Sequence, residues 1–321
     1  MKMSSPNAAS GAAKAADRPA DAAASNWVDR FAPRFAVPYL RLMRADRPIG
    51  WWLLLWPCWW SLALAGGGYQ DWKLYLLFWA GAVIMRGAGC VLNDIADRDF
   101  DAKVEGTRAR PIPSGAVSVS KAVIFMIALA LAGLVILLQL SRLAIWLGVG
   151  SLLLIVIYPF MKRFTYWPQI FLGLAFNWGA VMGWAAMRNS LSAAPVVLYL
   201  GGILWTLGYD TIYAHQDKAD DLIVGVKSTA LKLGNRTKTW LWVFYGGAAL
   251  LILSAGWLAN SGVLFYPVMV FAAAHLISQI VTLDIDQPES CLVRFRANRS
   301  FGWIVFAAVL LGQIRSVSFG V

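Results

Sequence analysis

Asn93, Asp94, Asp97, Asp99 and Asp101 crowd into one short segment at the end of a long apolar run. Asp210, Asp217, Asp220 and Asp221 close a second apolar run in the same way. Carboxylates beside lipid are costly, so their default reading there is functional. On a helix, Asn93, Asp97 and Asp101 recur every four residues and form a stripe that drifts about 40° per step. Asp94 lies off that stripe but beside Asp97. In the second set, at about 100° per residue, Asp210, Asp217 and Asp221 fall within about 40° of one another on one helical face, and Asp220 points off it. Like charges four apart repel, so such stripes call for a bound cation or strong basic partners. Magnesium takes oxygen ligands, keeps several waters and joins one or two carboxylates to a substrate phosphate. Two such clusters facing one cavity would hold magnesium, and the magnesium a diphosphate. Asn93 adds a neutral oxygen. The competing reading is a solvated helix end stabilised by Arg98, Lys103, Arg108 and Arg110, which does not explain why the arrangement recurs.

Basic residues can complete a diphosphate site. Arg47, Lys103, Arg108, Arg110, Lys162, Arg163 and Lys227 are the candidates. Arginine forks two phosphate oxygens and lysine brings a movable point charge. Each alone is equally an ordinary charge flanking a membrane span. Tyr158-Pro159-Phe160-Met161-Lys162-Arg163 is more particular, because it places a phenol and two cations in one short segment. Cys58, Cys90 and Cys291 have no metal-ligand spacing and no even count for a disulfide framework. His215 and His275 are too far apart to suggest a motif; His215 lies inside the second acidic segment. The tryptophans clustered at Trp51, Trp52, Trp56, Trp59 and Trp60 read first as packing and interfacial anchors.

The elements that position these residues follow from composition. The chain is 59% hydrophobic and 14% charged, with a mean hydropathy of +0.61. No ordinary soluble domain has this balance. The fold class is therefore an all-α, polytopic membrane protein, since the apolar runs are continuous and not alternating. Nine candidate spans are expected, at 49–65, 71–93, 117–139, 142–159, 166–187, 193–213, 237–256, 261–283 and 298–317. Of the 28 Lys and Arg residues, 24 fall in alternate connections and the N-terminal segment. The positive-inside rule then places the N-terminus and both acidic sets on the cytoplasmic side. The net charge of +11 reflects topology and gives no support to nucleic-acid binding.

Residues 1–26, rich in Ala and Ser, read as a disordered tail. They lack the apolar core of a signal peptide, and Asp17 and Asp21 argue against a mitochondrial transit peptide. Residues 27–48 read as an interfacial amphipathic segment, with Trp27, Phe31, Phe35, Tyr39 and Leu42 between Arg30, Arg34, Arg41 and Arg44. Residues 49–321 form one transmembrane domain. The two long cytoplasmic loops, roughly 94–116 and 214–236, each follow an acidic set, after the second and sixth spans, which hints at an internal repeat.

Several stretches together resemble the UbiA superfamily of intramembrane prenyltransferases. They are Leu42–Gly50, Met85–Asp94, the Arg110-Pro111-Ile112-Pro113-Ser114-Gly115 turn, Tyr158–Arg163, Tyr209–Ala214 and Gly225–Ala230. The similarity runs from about residue 38 to the C-terminus. The Asn93-Asp94-Asp97-Asp101 pattern marks the superfamily, and Met43–Gly50, Tyr158–Arg163 and Tyr209–Ala214 favour the branch acting on 4-hydroxybenzoate. The resemblance implies nine transmembrane helices around a central cavity, with cytoplasmic-side helical loops. It also implies magnesium dependence and a polyprenyl diphosphate donor. One departure is Ala219, which stands where the family's second motif carries a further acid.

On this resemblance, Asn93, Asp94, Asp97, Asp101, Asp217 and Asp221 are expected to hold magnesium. Arg47, Lys103, Arg108, Arg110, Lys162 and Lys227 are expected at the diphosphate. Arg163 and Tyr158 would take the aromatic acceptor, and Asp210 would be the base that removes the ring proton. The expected activity is transfer of a polyprenyl group to position 3 of 4-hydroxybenzoate in ubiquinone biosynthesis. The expected location is the bacterial cell inner membrane, with the mitochondrial inner membrane second. The alternatives are another acceptor (dihydroxynaphthoate, homogentisate or haem) or, in a different class, a cation-coupled secondary transporter. Transporter ion sites lie near the bilayer midplane, whereas these acids lie at helix ends on one side.

Overall fold

The computed structural model describes residues 26–314; the expected tail lies outside them, apart from Asn26. Among the described residues every regular element is helical. Beside two short 3-10 turns, Tyr69–Asp71 and Gly234–Arg236, the α-helices in chain order are α1 (Trp27–Phe31), α2 (Val37–Leu42), α3 (Ile49–Leu64), α4 (Trp72–Asp101), α5 (Val119–Leu137), α6 (Arg142–Phe164) and α7 (Pro168–Asn177). There follow α8 (Gly179–Arg188), α9 (Ala193–Ala214), α10 (Lys218–Val224), α11 (Thr229–Leu233), α12 (Thr237–Leu258), α13 (Phe265–Thr282) and α14 (Pro288–Gly312). The fold is an all-α polytopic one. Each of the nine expected spans falls on a helix or, for 166–187, on the pair α7–α8, the last of them only in part, since residues 315–317 lie outside the described residues. By length and apolarity, 7 described spans suffice to cross a membrane, so the count of nine is not fixed. The apolar α3 has only 16 residues, and α14 begins with a half that carries Arg294, Arg296 and Arg299.

The chain groups into two compact units, residues up to Gly50 with Ile84–Leu131, and Trp51–Val83 with the rest from Ala132. In the first, Leu42, Val91, Ile112, Val117 and Ala122 form a core, with Tyr39, Ile95 and Phe125 packed against it. The expected interfacial segment is two short helices, because Pro33 follows α1 and the chain turns before α2. Phe31 and Phe35 are about four-fifths exposed, at 79% and 80%. The Arg110–Gly115 segment is a tight turn: the Ser114 N–H donates to the Arg110 carbonyl and the Gly115 N–H to that of Ile112. Gly115 adopts φ +78°, which a side chain would strain.

The second unit centres on α9. Its Gly208 lies under the Tyr245 ring of α12 and its Gly202 under the Asn177 side chain, both so close that an added Cβ would collide. Small residues let membrane helices approach in this way. Polar side chains then tie the bundle from within. Asn177 Nδ2 donates to the Thr206 hydroxyl at 2.7 Å, and Trp205 Nε1 to Asn298 Oδ1 at 2.7 Å. Asn298 Nδ2 and the Tyr245 hydroxyl both donate to Gln279 Oε1, each at 3.1 Å. Trp60, Trp205 and Phe301 form the aromatic centre. The tryptophan-rich start of α3 packs as read from sequence: Trp52, Trp56 and Trp59 meet Trp303 of α14.

Candidate functional site

The first acidic set occupies the last turns of α4. That helix has 30 residues and so measures about 45 Å, against a hydrocarbon core of about 30 Å. Its acidic end therefore extends beyond the lipid tails when the apolar part spans them. Asp94 is fully buried, and Asp97 and Asp101 nearly so. Arg44 Nη2 lies 2.7 Å from Asp94 Oδ1, and Arg110 Nη1 lies 3.6 Å from that oxygen and 2.8 Å from Asp101 Oδ2. Asn93 Nδ2 donates to Asp97 Oδ2 at 2.9 Å. The Thr107 hydroxyl donates to the Asp101 carbonyl at 2.9 Å, folding the following segment back over the helix end. Arg44 has φ 61°, a left-handed conformation that costs a non-glycine residue roughly 1–3 kcal/mol. Its charge-assisted bond to a buried carboxylate offsets that strain.

These residues suit magnesium. Asp94 Oδ2 is buried and makes no hydrogen bond, so a hard oxygen donor stands in a group of carboxylates. Among the described residues, no three His, Cys, Asp or Glu side chains converge tightly enough to hold a metal by themselves. Magnesium does not require that, since it binds through one or two carboxylates with water and phosphate oxygens completing the shell.

The second acidic set is built differently. α9 ends at Ala214 and α10 begins at Lys218, so Asp210 and Asp217 do not share a helix. The single-faced stripe expected over 210–221 therefore does not form. His215 turns inward at the break, with Nε2 2.9 Å from the Thr237 hydroxyl, and burial lowers its pKa to about 4. The Thr211 and Thr229 hydroxyls bond to each other at 2.7 Å, fixing the return of the chain. Asp217 becomes the N-cap residue of α10, and Asp220 and Asp221 lie in its first turn, where the helix dipole favours acids. Asp217 is exposed, while Asp210 and Asp221 are half-buried. Burial pushes the Asp221 carboxyl up to about 6, against the lowering by a Ser228 hydrogen bond and the Lys162 charge.

Lys162 and Arg163 lie in the last turn of α6, where cations complement the helix dipole; Tyr158 sits one turn earlier, half-buried. The Lys227 N–H donates to the Lys162 carbonyl at 2.8 Å. The Lys227 ammonium donates to the Phe164 carbonyl at 3.2 Å and lies 5.5 Å over the Tyr166 ring. The structure thus gathers Lys162, Asp221 and Lys227 at the end of α6. Arg163 is exposed, with its guanidinium 5.3 Å over the Phe160 ring. In the other unit, Arg110 reaches the acids directly. Arg47 bonds the adjacent Asp46 at 3.1 Å, Arg108 pairs with exposed Glu105 at 3.4 Å, and Lys103 is exposed. Arg44, one of the arginines of the expected interfacial segment, is instead bonded to Asp94, a role its sequence position does not announce. No local pattern marks a partner 50 residues away.

The chain matches the UbiA prenyltransferase family over residues 54–306. It is 50% identical over 282 residues to the mitochondrial 4-hydroxybenzoate polyprenyltransferase of Drosophila melanogaster, covering 87% of this chain and 72% of that protein. Its fold is similar to that of a UbiA homologue from Aeropyrum pernix K1 in the apo form, with TM-score 0.67 and 23% identity, covering 81% of this chain and 97% of that one. It is similar also to a UbiA homologue from Archaeoglobus fulgidus bound to GPP and Mg2+, with TM-score 0.61 and 18% identity, covering 85% of this chain and 99% of that one. With half its residues shared along most of its length, and the family's pattern matched from the first apolar helix to the last, this chain belongs to the UbiA prenyltransferase family.

Proposed function

We propose that the protein transfers a polyprenyl group from polyprenyl diphosphate to position 3 of 4-hydroxybenzoate, releasing diphosphate, as a step of ubiquinone biosynthesis. The observation that carries this is the half-identical Drosophila relative, whose name states the activity. In the reaction the allylic C–O bond breaks and its electron pair leaves on the diphosphate. A π pair of the acceptor ring forms the new C–C bond, and the proton on that ring carbon passes to the Asp210 carboxylate. Asn93, Asp94, Asp97 and Asp101 at the end of α4, and Asp217 and Asp221 on α10, would hold magnesium; the Mg2+ in the Archaeoglobus homologue supports this. When bound, magnesium supplies positive charge that stabilises the leaving diphosphate. Arg110, Lys162 and Lys227, with Arg47, Lys103 and Arg108, add further cations for the diphosphate. Arg163 offers a fork for the acceptor carboxylate and Tyr158 a phenol beside it. The apolar bundle excludes water, which would otherwise quench the allylic cation.

The location we propose is the bacterial cell inner membrane; the mitochondrial name of the relative supports the mitochondrial inner membrane as the alternative. The test of function is direct. Purified protein in liposomes is given labelled 4-hydroxybenzoate, a polyprenyl diphosphate and magnesium, and the product is weighed by mass spectrometry. A product with the prenyl mass added to 4-hydroxybenzoate is expected. Transfer only to another ring, or no transfer, would overturn the proposal.

A further inference from the structure

We propose that Tyr213 is the residue against which the aromatic acceptor stacks, and that it makes the site selective for a planar ring. This rests on the acceptor reading above. At the C-terminal end of α9, residues 207–209, 211, 212 and 214 are buried, and of residues 207–214 only Asp210 and Tyr213 are half-buried. Three apart on a helix, they share one face. An accessible ring therefore lies beside the carboxylate proposed to take the ring proton.

That ring is held in place. Phe295 of α14 packs on Tyr213 with centroids 4.6 Å apart and planes at 46°, and on Tyr209 at 5.9 Å. Tyr209 is fixed in turn by Trp205, edge-on at 5.0 Å. The Tyr209 hydroxyl accepts from that of Thr206 at 3.0 Å, and Thr206 accepts from Asn177 Nδ2. A ring braced through α14 and α7 loses little freedom when a second ring lies on it, which is what a stacking platform needs. Aromatic pairing of this kind is equivalent to about 2- to 12-fold in binding.

The experiment measures KM for 4-hydroxybenzoate and for the donor in parallel, with full-chain protein in liposomes. Tyr213→Phe keeps the ring and should leave the acceptor KM within about twofold of wild type. Tyr213→Leu should raise it about 2- to 12-fold and leave the donor KM unchanged. Phe295→Leu, which frees the ring without removing it, should raise the acceptor KM by a smaller factor. An unchanged acceptor KM in Tyr213→Leu, or equal rises for both substrates, would overturn the inference. If Tyr213→Leu does not fold, Phe295→Leu decides, and an unchanged acceptor KM there overturns it. Wild-type turnover of 4-hydroxybenzoate in the same assay separates the two readings: its absence sinks both, whereas its presence with an indifferent Tyr213 sinks the stacking role alone.

Discussion

The acids at the end of α4 and those around α10 are alike in composition and opposite in construction. The first set stands on one unbroken helix, with Asp94, Asp97 and Asp101 buried and Arg44 and Arg110 against Asp94 and Asp101. The second straddles a helix break, and its members are exposed or half-buried. A buried carboxylate must be paired or hydrogen-bonded. A carboxylate in the first turn of a short helix is stabilised by the helix dipole and by water. The first set is therefore part of the folded core of its unit, whereas the second can change without undoing its surroundings.

The largest effect expected is on the chemical step. Asp210→Asn keeps the shape of the proposed base and removes its proton acceptor, so product formation should slow by about 10²–10⁴-fold. Donor and magnesium binding should stay near wild type. A loss of magnesium affinity that matches the loss of rate would make Asp210 a ligand and extend the second set into α9.

The stability contrast is tested next. Arg44→Ala leaves Asp94 buried without its nearest cation, and removing one partner of a buried pair costs about 3–5 kcal/mol. Asp217→Ala, at an exposed N-cap position whose side chain makes no cap hydrogen bond, should cost no more than about 0.5 kcal/mol. Thermal unfolding in detergent compares the two. Equal losses would end the distinction between a structural and a replaceable set.

Arg163→Ala should raise the KM for 4-hydroxybenzoate about 10- to 100-fold, the equivalent of one hydrogen bond to a charged group. Equal weakening of the donor would reassign Arg163 to the diphosphate.

The smallest effect is one of pH. Burial raises Asp221 from 3.8 to about 6. The folded value lies above the unfolded one, so this carboxyl favours the fold below about pH 4 and opposes it above about pH 6. Protons compete with a metal at the same oxygens. Lowering the pH from about 7.5 to about 5.5 should therefore weaken magnesium binding roughly three- to fourfold through this group. Titration calorimetry reads the shift, and Asp221→Asn should abolish it.

Much of this was legible from residue types. Continuous apolar runs gave the helices, and the four-residue spacing of Asn93, Asp97 and Asp101 gave the stripe on α4, because that helix is unbroken. At 210–221 no such stripe forms, because the helix ends at Ala214. A local signal was present: Asp217 as a cap, Asp220 and Asp221 in a first turn and Gly225 after Val224 outline a separate short helix. Arg44 could not be found this way. Its left-handed backbone and its bond to Asp94 depend on how α2 packs on α4 through Leu42 and Val91. Periodicity along one helix carries no information about which distant cation will meet it.

The central claim is that both acidic sets serve one magnesium-dependent transfer despite their different construction. Its most direct test is the turnover of purified Asp97→Asn and Asp217→Asn across a magnesium titration, with folding checked in the same samples. The account predicts that each substitution abolishes turnover while the protein stays folded, and that chelating magnesium stops the wild type. Near-wild-type turnover in either variant would contradict it and remove that set from the reaction.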